Sequence, residues 1–71
     1  YKKAIPFLIQ TFEDNPSDAV AFCLAVSFYS ENDIENSYKY LKIATEYDSN
    51  LYNDFYTLFP EAKQIINKKE L

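Results

Sequence analysis

The chain has 71 residues and no glycine, which restricts how it can reverse direction. Glycine is the residue that takes left-handed backbone angles without steric cost, so its turns pass to Asn, Asp, Ser and Pro. Those residues gather at Asn15-Pro16-Ser17, at Asn32-Asp33 after Glu31, at Asp48-Ser49-Asn50 and around Pro60. Between these clusters lie segments of helical length in which apolar residues recur every three or four positions. The expected fold class is therefore all-α, with about five short helices. The same lack of glycine removes every Gly-rich phosphate-cradling loop from consideration.

The first helix is expected from about Tyr1 to Asp14, with Ile5, Leu8, Ile9 and Phe12 on one face and Lys2, Lys3, Gln10 and Glu13 on the other. Pro6 lacks an amide donor and its ring crowds the carbonyl four residues back, an interior cost of about 3 kcal/mol that favours a start close to Pro6 over a kink. Asn15-Pro16 ends this helix, because the residue before proline is driven out of helical geometry. Ser17 is placed to cap the second helix, about Asp18 to Glu31. That helix is apolar nearly all round and needs cover on more than one side. Asn32 can take the left-handed turn position, and Asp33 can cap a third helix, about Ile34 to Tyr47. A fourth helix is expected through Leu51, Phe55, Leu58 and Phe59 after the Asp48-Ser49-Asn50 capping cluster. A fifth, roughly Glu61 to Glu70, starts at Pro60 and carries Ala62, Ile65 and Ile66 on one side and Lys63, Lys68 and Lys69 elsewhere.

The second and third helices read as an antiparallel hairpin. Small residues at Ala25, Ser37 and Ala44 stand where two helices approach closely, and Leu24, Phe28, Ile34, Tyr38 and Leu41 fill the seam. Ala4, Leu8 and Pro16 repeat the mutual spacing of Ser37, Leu41 and Ser49 at an offset of 33 residues. A helix–turn–helix unit recurring at that interval resembles the tetratricopeptide repeat family, whose period is about 34. The first-helix pattern is met by Ala21, Leu24-Ala25 and Phe28, and the second by Ser37, Leu41, Ala44 and Ser49. Ala21 stands where the family has Trp, Asn32 where it has a turn Gly, and Ser49 where it has a final Pro. The resemblance covers about residues 1–50. It implies a right-handed solenoid fragment in three parts: the second helix of a truncated repeat at 1–16, a complete hairpin at 17–50 and a degenerate capping repeat at 51–71. A register that enters mid-repeat, with Tyr1 first and no Met, leads us to expect a piece of a longer protein. A missing upstream helix would leave Ile5, Leu8, Ile9 and Phe12 uncovered, or paired with another copy.

Charge and residue inventory exclude several function classes. The net charge is −4, with seven Lys and no Arg, unsuited to tracking phosphates and favouring basic partners. No apolar run reaches the roughly 18 residues of a membrane span. One cysteine cannot form an internal disulfide, and Cys23, inside an apolar helix, is expected to be a buried small hydrophobe. Compartment is left open, with a lean toward the cytoplasm. Without His there is neither a Ser–His–acid triad nor an imidazole ligand. The acidic clusters, Glu13-Asp14, Glu31 with Asp33 and Glu35, and Glu46 with Asp48, fall at helix ends where carboxylates cap or are solvated. No catalytic residue, metal site or cofactor is expected.

Two further features bear on binding. The resemblance implies that the second helix lines a concave surface, placing Ala19, Phe22, Val26, Tyr29 and Ser30 in a partner-binding groove. These are apolar or aromatic where carboxylate-clamping members carry Lys, Arg and Asn, so the expected ligand is an apolar or aromatic segment with the Tyr29 hydroxyl at the rim. The competing reading is that an upstream repeat, the C-terminal cap or the chain's own twist covers this stripe. Tyr38, Tyr40, Tyr47, Tyr52, Phe55 and Tyr56 are either a second sticky patch or half-buried seam residues. The expected function is a non-catalytic interaction or scaffold module, with a protein or peptide partner or self-association through exposed apolar faces. The alternatives are a helical accessory segment of a larger enzyme or transport assembly, and a carrier of a small apolar ligand.

Overall fold

The structure, a computed structural model, describes residues 3–65. Tyr1, Lys2 and the expected extension of the last helix through Ile66, Lys68, Lys69 and Glu70 lie outside them. The described residues form α1 (Ile5–Asp14), α2 (Asp18–Ser30), α3 (Ile34–Tyr47) and α4 (Leu51–Leu58), then a helical stretch over 62–65, with no strand among them. The fold class is all-α, and α2 and α3 form the antiparallel hairpin at its centre. No helix of the described residues is long and apolar enough to cross a membrane.

Local chemistry sets the helix limits. α1 begins at Ile5 rather than Tyr1, with Pro6 in its first turn, where the missing amide costs no helical hydrogen bond. Asn15 leaves the helical region, with φ −151° and ψ 83°, before Pro16, as steric conflict with the proline ring requires. Ser17 Oγ accepts from the Val20 amide at 3.2 Å, capping α2. At the other end of α2, Asn32 has φ 65°. The Asp33 amide donates to the Phe28 carbonyl at 2.9 Å and the Asn32 amide to that of Tyr29 at 3.0 Å. That pair of bonds is a Schellman ending, completed by asparagine instead of glycine. Asp33 then caps α3, accepting from the Asn36 amide at 3.3 Å. Before α4 the expected side-chain cap is absent at Asn50. Asp48 Oδ1 instead accepts from the Asn50 amide at 3.0 Å, a turn in which the aspartate supports the loop rather than the helix.

Small residues allow α2 and α3 to meet closely. Ala21, Leu24 and Ala25 of α2 and Ser37, Leu41 and Ala44 of α3 are fully buried. Ser37 Oγ donates to the Ala25 carbonyl at 2.7 Å, so the hydroxyl is satisfied at the point of closest approach. One core extends from this seam in both directions. Toward α1, the Phe12 ring meets Tyr40 edge-on at 5.7 Å, and Tyr40 stacks on Phe28 at 5.7 Å. Toward α4, Phe55 is fully buried among Phe22 at 6.2 Å, Tyr29 at 5.6 Å and Phe59 at 5.2 Å. Ala62 is also buried, which ties the last stretch to the same core.

This packing corrects in part the expectation that the apolar face of α1 stands uncovered: Ile5, Leu8, Ile9 and Phe12 are half-buried, and no residue of α1 is fully buried. Leu8, Ile9 and Phe12 pack half-buried against the chain's own core, because α1 folds back onto α2. The open aromatic of α1 is Phe7, which is 73% exposed. Of the tyrosine-rich set, Tyr40 and Phe55 are buried, Tyr38, Tyr52 and Tyr56 half-buried, and only Tyr47 is largely exposed.

Candidate functional site

α2 packs on α3 through Ala21, Leu24 and Ala25, and its opposite arc is only partly covered, by α1 and by Phe55 of α4 against Phe22. On that arc Ala19, Cys23 and Ser30 are exposed and Val26 is half-buried. α1 and α4 rise on either side to form a cleft of about 410 Å³. Its floor is Phe22, Cys23, Val26 and Ser27 of α2, one wall is Ala4 and Leu8 at the start of α1, and Leu58 of α4 closes the other side. Four floor residues fall in two i, i+4 pairs, the spacing that places side chains over one another on a helix face. No lining residue is charged, and Cys23 and Ser27 are the lining residues with polar side-chain groups, so an occupant would meet a mainly apolar surface.

The structure divides the predicted groove. Phe22 and Val26 line the cleft, and Ala19 and Ser30 extend the same arc beyond it. Tyr29 belongs elsewhere. Its ring lies on Phe59 at 4.4 Å, and its hydroxyl donates to Glu61 Oε1 at 3.0 Å. Burial, then the hydrogen bond and negative charge of Glu61, raise the phenol above its ordinary pKa. Tyr29 thus fastens the C-terminal segment to α2, and that segment covers this end of the stripe.

Cys23 is a correction. The apolar surroundings in sequence pointed to a buried thiol, yet Cys23 is exposed, because neither α1 nor α4 reaches across the outer arc. Leu58 is 57% exposed, although its spacing from buried Phe55 places it on the apolar face of α4 expected from sequence. The remaining repeat-pattern residues split by helix. Ala21, Leu24, Ala25, Ser37, Leu41 and Ala44 are fully buried, Phe28 and Leu8 are half-buried, and Ala4 and Pro16 are exposed.

Ala4, Leu8, Cys23, Ser27 and Leu58 line the cleft from outside the predicted groove. Spacing alone could have joined Cys23 and Ser27 to Ala19 and Val26, but Leu58 arrives only through the docking of α4. Among the described residues, no group of three or more His, Cys, Asp or Glu converges on a point that could hold a metal ion. No protein-family model, curated protein or solved structure matches the chain. The chemistry of the cleft itself is then the basis for a functional reading.

Proposed function

We propose that this chain is a non-catalytic protein-interaction module of tetratricopeptide type, which holds an apolar or aromatic segment of a partner in the cleft over α2. The observation that carries the reading is an open, uncharged cleft of about 410 Å³ floored by Phe22, Cys23 and Val26. A concave, mainly apolar cleft of this size is the usual form of a binding site. The repeat relation supports the same assignment. Ser37 and Leu41 of α3 are sealed by α2, whereas Ala4 and Leu8, their counterparts 33 residues earlier, form a wall of the cleft. The chain then comprises a half-repeat at 1–16, a hairpin at 17–50 and a capping segment at 51–71.

Selection from a displayed library of helical and extended peptides tests this reading. Apolar or aromatic consensus peptides should be enriched, and Val26→Asp should weaken them by more than about 2 kcal/mol, the range of a central anchor, with helicity unchanged. Phe22→Asp should weaken them too, though it also strikes the Phe55 contact. Enriched peptides that bind Val26→Asp as well as the parent would refute the site. Self-association is a second reading, favoured by Phe7 and Leu58 at 73% and 57% exposure. It requires a molar mass that rises toward a dimer in light scattering over a concentration series.

A further inference from the structure

The cleft continues along α2 as a seam whose spacing indicates the shape of its occupant. Ala19, Cys23, Val26 and Ser30 follow one another at intervals of four, three and four residues, the pattern of a helix face that meets another helix. At about 1.5 Å per residue the seam is about 16 Å long. Small side chains along it, between the taller Leu8 and Leu58, leave room for a helical backbone to approach. An extended peptide would need alternate pockets or a free sheet edge, and the described residues hold no strand.

Charge at the ends and rim of the seam indicates the occupant's composition. Asp18 stands four residues before Phe22, Glu31 four residues after Ser27, and Asp54 four residues before Leu58, each about one helical turn from a lining residue. Glu61 is held nearby through Tyr29, three residues beyond Val26. Against these stand Lys3, next to Ala4, and exposed Lys63, two residues beyond Glu61. Lys39 and Lys42 are exposed on α3, the helix on the other side of α2 from the cleft. An apolar floor bordered mainly by carboxylates complements an apolar stripe bordered by cations, and such complementarity selects among partners that the floor alone would accept.

We infer that the α2 seam seats an amphipathic helix of a partner protein, apolar along the face it inserts and flanked by Lys or Arg. The inference rests on the docking reading above and adds the partner's conformation and charge. Cys23, exposed on the cleft floor, is a built-in reporter, since an occupant must shield its thiol from an uncharged alkylating agent. The probes are two synthetic peptides of about 14 residues, about 21 Å as helices, with Leu on one face and either Lys or Glu on the other.

The Leu/Lys peptide should slow Cys23 alkylation at concentrations about tenfold lower than the Leu/Glu peptide needs, and added salt should narrow the gap. Reversing the exposed rim charges with Glu31→Lys and Asp54→Lys should remove the preference without loss of helicity. Equal protection by both peptides would overturn the charge inference and leave apolar docking standing. Protection by neither would overturn both. Alkylation that slows with protein concentration alone, together with a dimeric mass, would assign the seam to a second copy and overturn the inference.

Discussion

Replacing Phe55 with alanine should show whether α4 is part of the core or an appendage to the hairpin. The side chain is fully buried, and its ring meets Phe22, Tyr29, Tyr56 and Phe59 at centroid distances of 5.2–6.2 Å. Truncating such a residue costs about 3–5 kcal/mol in lost transfer energy and residual cavity. A chain of this length has a total stability of about 4–10 kcal/mol. The change therefore removes between a third and all of it. With a urea dependence of about 1 kcal/mol per molar, the midpoint of helicity loss should fall by about 3 M or the chain should be unfolded in buffer. Phe55→Leu, which keeps most of the volume, should lose only about 1–2 kcal/mol. A midpoint for Phe55→Ala within about 0.5 M of the parent would refute the single-core argument. So would an early, separate transition that leaves the hairpin folded. The Leu58 wall of the cleft depends on the same docking, so peptide protection of Cys23 should fall with it.

Two smaller perturbations test particular contacts. Ser37→Ala should cost about 1 kcal/mol, the net worth of the bond to the Ala25 carbonyl, while Ser37→Leu should cost at least about 1–3 kcal/mol by forcing α2 and α3 apart; equal denaturation midpoints for the two variants would show that the helices do not need a small residue there. The raised pKa of Tyr29 means that the folded state holds the phenol proton more tightly than the unfolded chain does. Its contribution to stability is complete below about pH 10, the unfolded phenol value, and declines as pH rises through the folded pKa. Tyr29→Phe should flatten this part of the alkaline stability curve, and an unchanged slope would remove the Glu61 bond from the account.

The helix boundaries and the α2–α3 hairpin were legible from sequence because their causes are local. Pro16 excludes helical angles at Asn15, Asn32 accepts a positive φ, and Asp33 reaches an amide three residues ahead. The hairpin's small residues were equally legible, since close approach excludes large side chains whatever lies around them. The outward face of α2 was not. A helix apolar on every side carries no record of which arc will be covered, and that choice falls to the placement of its neighbours. α3 buries Leu24 and Ala25, α4 takes Tyr29 into the aromatic cluster around Phe55, and α1 packs inward through Leu8 and Phe12 while turning Phe7 outward. What remains is the arc through Cys23 and Val26, with Leu58 brought beside it from more than thirty residues away. Sequence determined that α2 would be apolar; only tertiary packing decided which part of it stayed open, because burial depends on the positions of three helices at once.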